Sequence, residues 1–126
     1  MRREITVLFL LLILIAASLL NIGYINRLSN DLCSQLDSID AAAKSGEFEA
    51  AILLFHKSYK LWDQNKMYYG IFLRHPEIDS GYDCFYDLKA ELVSENADAI
   101  PALCAKLKYH IQCLADMEKL KLSSIL

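Results

Sequence analysis

An all-α fold is expected of this 126-residue chain: an N-terminal transmembrane helix that continues into a small antiparallel four-helix bundle or a pair of stacked helical hairpins. Three observations predict it. Ile5–Leu20 runs sixteen residues without a charge. Beyond that run, apolar residues recur at spacings of three and four, the period of one helix face. Only Pro76 and Pro101 interrupt the remainder, and no strand-like alternation of useful length occurs.

The apolar run extends through Asn21, Ile22, Gly23, Tyr24 and Ile25. It then holds about 21 residues, or ~32 Å of helix at ~1.5 Å of rise per residue, against a hydrocarbon core of ~30 Å. A buried helix of a soluble core fits poorly, because apolar side chains occupy every side from Ile5 to Ile15. Arg2 and Arg3 precede the run, whereas a lone Arg27 follows it with Asp31 nearby. That asymmetry sets the N-terminus in the cytoplasm and the rest outside, as a single-pass protein of the cell membrane. Residues 1–26 therefore read as a membrane anchor, with 5–25 in lipid, and 27–126 as an extracytoplasmic helical domain. Ala16, Ala17 and Ser18 resemble a signal-peptide cleavage site, so a secreted helical protein is the alternative. An uncleaved signal-anchor is favoured, since cleavage would leave the apolar Leu19–Ile25 as a new start.

No breaker separates the anchor from a stripe of Leu28, Leu32, Leu36, Ile39 and Ala43, so one rod should reach about Lys44. Gly46 suits the left-handed residue that ends it. A second helix carries Phe48, Ile52, Phe55, Tyr59 and Trp62, with continuation through Met67, Ile71 and Phe72. His75-Pro76 should break it, because a residue before proline is pushed out of helical conformation. Pro76 fits the first turn of a third helix, where Glu77 and Asp79 meet its positive end. That helix shows Ile78, Tyr82, Phe85, Leu88 and Leu92. Asn96–Asp98 should break and recap, with Asp98 as N-cap and Pro101 inside the tolerated first turn. The fourth helix carries Ile100, Leu103, Leu107, Ile111, Leu114 and Met117, ending near Lys119–Lys121. Ser45–Trp62 (SGEFEAAILLFHKSYKLW) is similar to the turn and second helix of a tetratricopeptide-type hairpin, although no ~34-residue period follows.

Composition excludes several classes. From Arg27 onward there are 11 Lys or Arg against 15 Asp or Glu, a net charge of −4. Nucleic-acid binding needs a basic stripe, and none is present. Four glycines are scattered, so no phosphate-cradling loop or nucleophile elbow exists, and the chain is not expected to be an enzyme. Cys33, Cys84, Cys104 and Cys113 show no CxxC or Cys/His clustering, and they read as half-buried structural thiols. Cys104 and Cys113, nine apart, should point to opposite sides of one helix.

Tyr68–Asp79 (YYGIFLRHPEID) and Leu107–Leu126 (LKYHIQCLADMEKLKLSSIL) resemble signatures of the domain-of-unknown-function 4363 family. The opening MRREI and LLILIAAS and the central GEFEAAILLFHKSYKLW are also similar, so the likeness covers the whole chain. It implies a short, single-anchor, all-helical membrane protein of Gram-positive bacteria. No activity, cofactor or catalytic residue comes with it. Here Glu118–Leu122 lacks the Gly or Pro that members often carry nearby, which bears on where the last helix ends.

Candidate site residues gather around the third helix start. Arg74, His75, Glu77 and Asp79 form the best polar cluster, with Tyr109 and His110 as possible neighbours from the last helix. The bland reading gives Glu77, Asp79 and His75 to helix capping. The sharper one is a ligand or metal sensor built on His75, Glu77, Asp79 and His110, with His110 paired to a carboxylate such as Asp79 as a pH reporter. His56 reads as an edge residue. Eight of thirteen aromatics fall between Tyr59 and Tyr86, as core bulk or as a partly exposed groove for a partner. The function expected is a membrane-anchored helical interaction module docking onto a membrane or envelope protein. Its contact residues would be Tyr68, Tyr69, Phe72, Arg74 and the Tyr109/His110 edge. No cofactor is implied, and homo-oligomerisation stays open.

Overall fold

The computed structural model of the protein describes residues 1–66 and 75–125. Among these, all regular structure is helical. The elements are α1 (Arg2–Lys44), α2 (Phe48–Gln64), α3 (His75–Val93) and α4 (Ile100–Ile125). The expected continuation of α2 through Met67, Ile71 and Phe72 lies outside the described residues.

Helix α1 is the rod the sequence predicts, 43 residues with no interruption between apolar run and amphipathic half. Met1–Leu14 are exposed on every side, while the far half buries Ile25, Leu28, Leu32, Leu36, Ile39 and Ala43 along one stripe. It is also the one described helix long and apolar enough to cross a membrane. Its end is a Schellman motif. Gly46 sits at φ +77°, its N–H donates to the Ala43 carbonyl (3.1 Å), and the Glu47 N–H donates to that of Ala42 (2.9 Å). Those bonds satisfy carbonyls that a helix terminus leaves bare.

Helix α3 ends in the same motif with a residue ill suited to it. Glu95 takes φ 56°, its N–H bonds Leu92 O (3.2 Å), and the Asn96 N–H bonds Glu91 O (3.0 Å). A side-chain-bearing residue is strained in left-handed backbone, whereas glycine is not. Glu95→Gly should therefore stabilise the fold by about 0.5–1 kcal/mol, read as a higher chemical-denaturation midpoint at unchanged slope. A lowered midpoint would contradict the motif. Asp98 does not cap α4. Asn96–Ala99 close into a turn (Ala99 N–H to Asn96 O, 3.2 Å), and Ala99 accepts from the Leu103 N–H (3.3 Å). The turn takes up Asp98 before the helix starts.

Each helix packs on two neighbours: α1 on α2 and α4, and α3 on α2 and α4. The four described helices thus close a ring, the arrangement of an antiparallel bundle. Cross-links between helices agree with that order. Tyr24 donates its hydroxyl to Asn65 Oδ1, tying the start of the buried half of α1 to the end of α2. Tyr82 donates to Asp63 Oδ1 (2.8 Å), joining the first half of α3 to the end of α2. Lys108 Nζ meets Asp37 Oδ1 at 2.6 Å, between α4 and α1.

The core stripes depart from expectation in one instructive way. On α2 the fully buried positions are Ala51, Phe55, Ser58 and Trp62, while Phe48, Ile52 and Tyr59 flank them half-buried. Two of these positions, Ala51 and Ser58, are small, and hydrophobicity alone does not place them at the centre. Ser58 satisfies its hydroxyl on Phe55 O (2.9 Å) within its own helix. Likewise on α4, Cys104 and Ala115 are buried where Leu103 and Met117 are only partly so.

Aromatics from α2 and α3 interlock at the centre. Phe85 lies edge-on to Phe55 (centroids 6.0 Å) and to Tyr59 (5.7 Å), and Trp62 meets Tyr82 edge-on at 6.1 Å. The described members of the aromatic window therefore fill the bundle, and only Tyr86 is well exposed.

Candidate functional site

Two polar stripes face each other across α3 and α4. Ser80, Asp83, Cys84 and Asp87 follow one another at spacings of three, one and three, and Lys106, Tyr109, His110 and Cys113 repeat that spacing. Both sets keep to one helix face, so antiparallel packing lays them along a shared cleft of ≈ 340 Å³. Carboxylates from α3 oppose the ammonium of Lys106 from α4. The arrangement gives a cleft that can take a polar side chain or a small charged ligand.

His110 is half-buried on the cleft wall, and its Nε2 lies 3.0 Å from the main-chain carbonyl of Glu77. A carbonyl only accepts, so Nε2 carries the proton and donates. The imidazole thus secures α4 to the first turn of α3. Asp79, the carboxylate expected to pair with it, is exposed. Glu77 is half-buried in that first turn, and His75 is the first residue of α3. Tyr109 projects into solvent at 71% exposure, and its phenol, hydrogen-bonded to Cys113, is raised in pKa by that bond. Tyr68, Tyr69, Phe72 and Arg74 lie outside the described residues. No group of three or more His, Cys, Asp or Glu converges as a metal would require among the described residues.

Cys84 floors the cleft, buried, with its thiol raised by burial; Lys106 opposes that shift, while Asp87 and Asp83 add to it. On the other side of α4, Cys104 is buried and pushed up to about 12, chiefly by burial, with Asp40 and Asp37 acting the same way. Cys113 is only half-buried. The two cysteines of α4 thus serve different faces, as their nine-residue spacing requires. His56 is exposed, edge-on to Phe55.

These environments set a reactivity order. In the folded protein Cys113 should be alkylated first, and Cys104 should react only at the rate of unfolding. The same burial has a pH signature. The Cys104 thiol titrates at about 12 in the fold against 9.0 when unfolded, so its contribution is complete below pH 9.0 and is lost as pH rises towards 12. Denaturant midpoints should fall over that window, and Cys104→Ala should flatten the decline. An unchanged alkaline slope in the variant would assign the loss elsewhere.

Sequence reasoning found Tyr109 and His110 but not Ser80, Asp83, Cys84, Asp87, Lys106 or Cys113. The matched spacing of the two polar stripes was the available signal, hidden because each stripe alone resembles an ordinary solvated face.

A family model described as Domain of unknown function (DUF4363) matches residues 19–125. No curated protein and no solved structure matches the chain.

Proposed function

The chain belongs to the DUF4363 family, and from that premise and the geometry above we propose that it is a membrane-anchored helical interaction module. Its bundle lies outside the cytoplasmic membrane and presents the α3–α4 cleft to a membrane or envelope protein. The observation that carries this reading is the continuity of α1. One helix supplies an apolar run exposed on every side as far as Leu14 and, without a joint, a stripe of the bundle core. An apolar surface of that extent has no place in water, and a bilayer accepts it at bilayer length. Tethering then confines the cleft to a thin layer above the membrane, which raises its effective concentration for membrane-bound partners. Opposed carboxylates and lysine in the cleft favour a partner segment carrying both charge signs.

The test is site-specific photo-crosslinking in native membranes from positions Asp87 and Lys106, with Leu53, exposed on α2, as reference. A defined membrane or envelope protein should be captured from the cleft positions and not from Leu53. Asp87→Lys should abolish that capture while leaving the fold intact. Recovery of the protein alone from every position would reduce the proposal to self-association. A small-ligand sensor is the second reading. The cleft volume supports it, and it predicts ligand-dependent protection of Cys113 without any captured protein.

A further inference from the structure

We infer that the last turns of α4, around Lys119 and Leu120, make a second membrane contact in the phospholipid headgroup layer beside the anchor. This rests on the anchor reading proposed above, and it follows from register. Lys108 is pinned to Asp37 at 2.6 Å, with α4 descending as α1 ascends. From Lys108, α4 runs seventeen further residues to Ile125, or ~25 Å. Seventeen residues back from Asp37, α1 has reached Leu20, inside its apolar run. A bundle crossing angle of ~20° shortens that reach by only ~2 Å. Leu120 therefore lies level with Ile25, and the residues after it lie level with the anchor itself.

Burial along α1 agrees. Met1–Leu14 are exposed all round, but Ile15, Ser18 and Asn21–Gly23 are half-covered on the side that leads to buried Ile25. Helix α2 is tied to α1 at Tyr24 through Asn65. Among the described elements, α4 alone reaches below that level. Lys119 is exposed there, and Leu120 is 65% exposed. An exposed leucine beside a lysine suits the headgroup boundary, where the apolar group enters acyl chains and the ammonium rises to phosphate. Tyr24, 43% exposed at the same height, is the residue type that favours this layer. The domain is mildly acidic and holds no polybasic patch, so depth and not lipid charge governs the contact, and phosphatidylcholine suffices.

The experiment reconstitutes the full chain in phosphatidylcholine vesicles containing a phosphatidylcholine with a diazirine near the top of its acyl chain. Adducts are then mapped by mass spectrometry. Adducts are expected on residues 19–25 of α1 and on 119–125 of α4, with none around Leu53 or Tyr109. Leu120→Glu should lose the α4 adducts and keep those on α1, whereas Val93→Glu, at the opposite end of the bundle, should keep both. Adducts on α1 alone would overturn this contact and leave the anchor standing. Absence of adducts from α1 as well would overturn both.

Discussion

Replacing Trp62 with alanine should cost about 3–5 kcal/mol, a large share of the ~5–15 kcal/mol by which a domain is stable. The indole is wholly buried and lies against Tyr82 (6.1 Å) and Phe85 (5.8 Å), where α2 meets α3. Removing it opens a void bounded by rigid rings, which collapse poorly and forfeit their dispersion contacts. Loss should extend to Tyr82, whose bond to Asp63 is held in place by the same packing. Chemical denaturation of the purified protein in detergent, followed by near-ultraviolet circular dichroism, reads both effects. A midpoint close to that of the native chain would show that the aromatic cluster is not the keystone of the bundle.

Gly81→Ala is the second large effect, expected to destabilise by about 1–3 kcal/mol despite adding one methyl group. A Cβ at position 81 would stand 2.9 Å from Trp62 Cη2 and 3.2 Å from Cε2, with Cζ2 nearer still. The indole cannot swing aside, because it is enclosed and planar, so α2 and α3 would have to separate. That cause is testable by coupling. Trp62→Phe shortens the ring at the point of contact, so Gly81→Ala should cost less in that background than alone. Strict additivity would mean that the glycine matters for some reason other than room for the indole. Before the fold is seen, Gly81 is one of four scattered glycines with no turn to explain it.

That residue marks where reading the chain succeeds and where it stops. Periodicity places the four described helices and the α1 stripe Leu28–Ala43, because burial there follows hydrophobicity. It misjudged α2 and α4 where Ala51, Ser58 and Cys104 displace bulkier neighbours from the centre. Helix proximity selects small side chains, and proximity is a property of pairs. The Gly46 terminus could be foreseen from residue type, whereas Glu95 could not, since its left-handed backbone is imposed by the turn that follows. The α3–α4 cleft was half visible. Tyr109 and His110 stood out as residue types, but His110 binds the Glu77 carbonyl, an atom that no side-chain pattern announces.

The unbroken run of α1 has a mechanical consequence. With no hinge between the apolar run and the bundle, the azimuth of the cleft about the α1 axis is fixed by residue count, ~100° for each residue in the shaft. One residue more or fewer near Asn26 would swing the cleft a quarter-turn or so relative to the apolar run while barely changing their separation. Torsion applied to the apolar run would be carried along the shaft to the cleft, like a key turned by its stem.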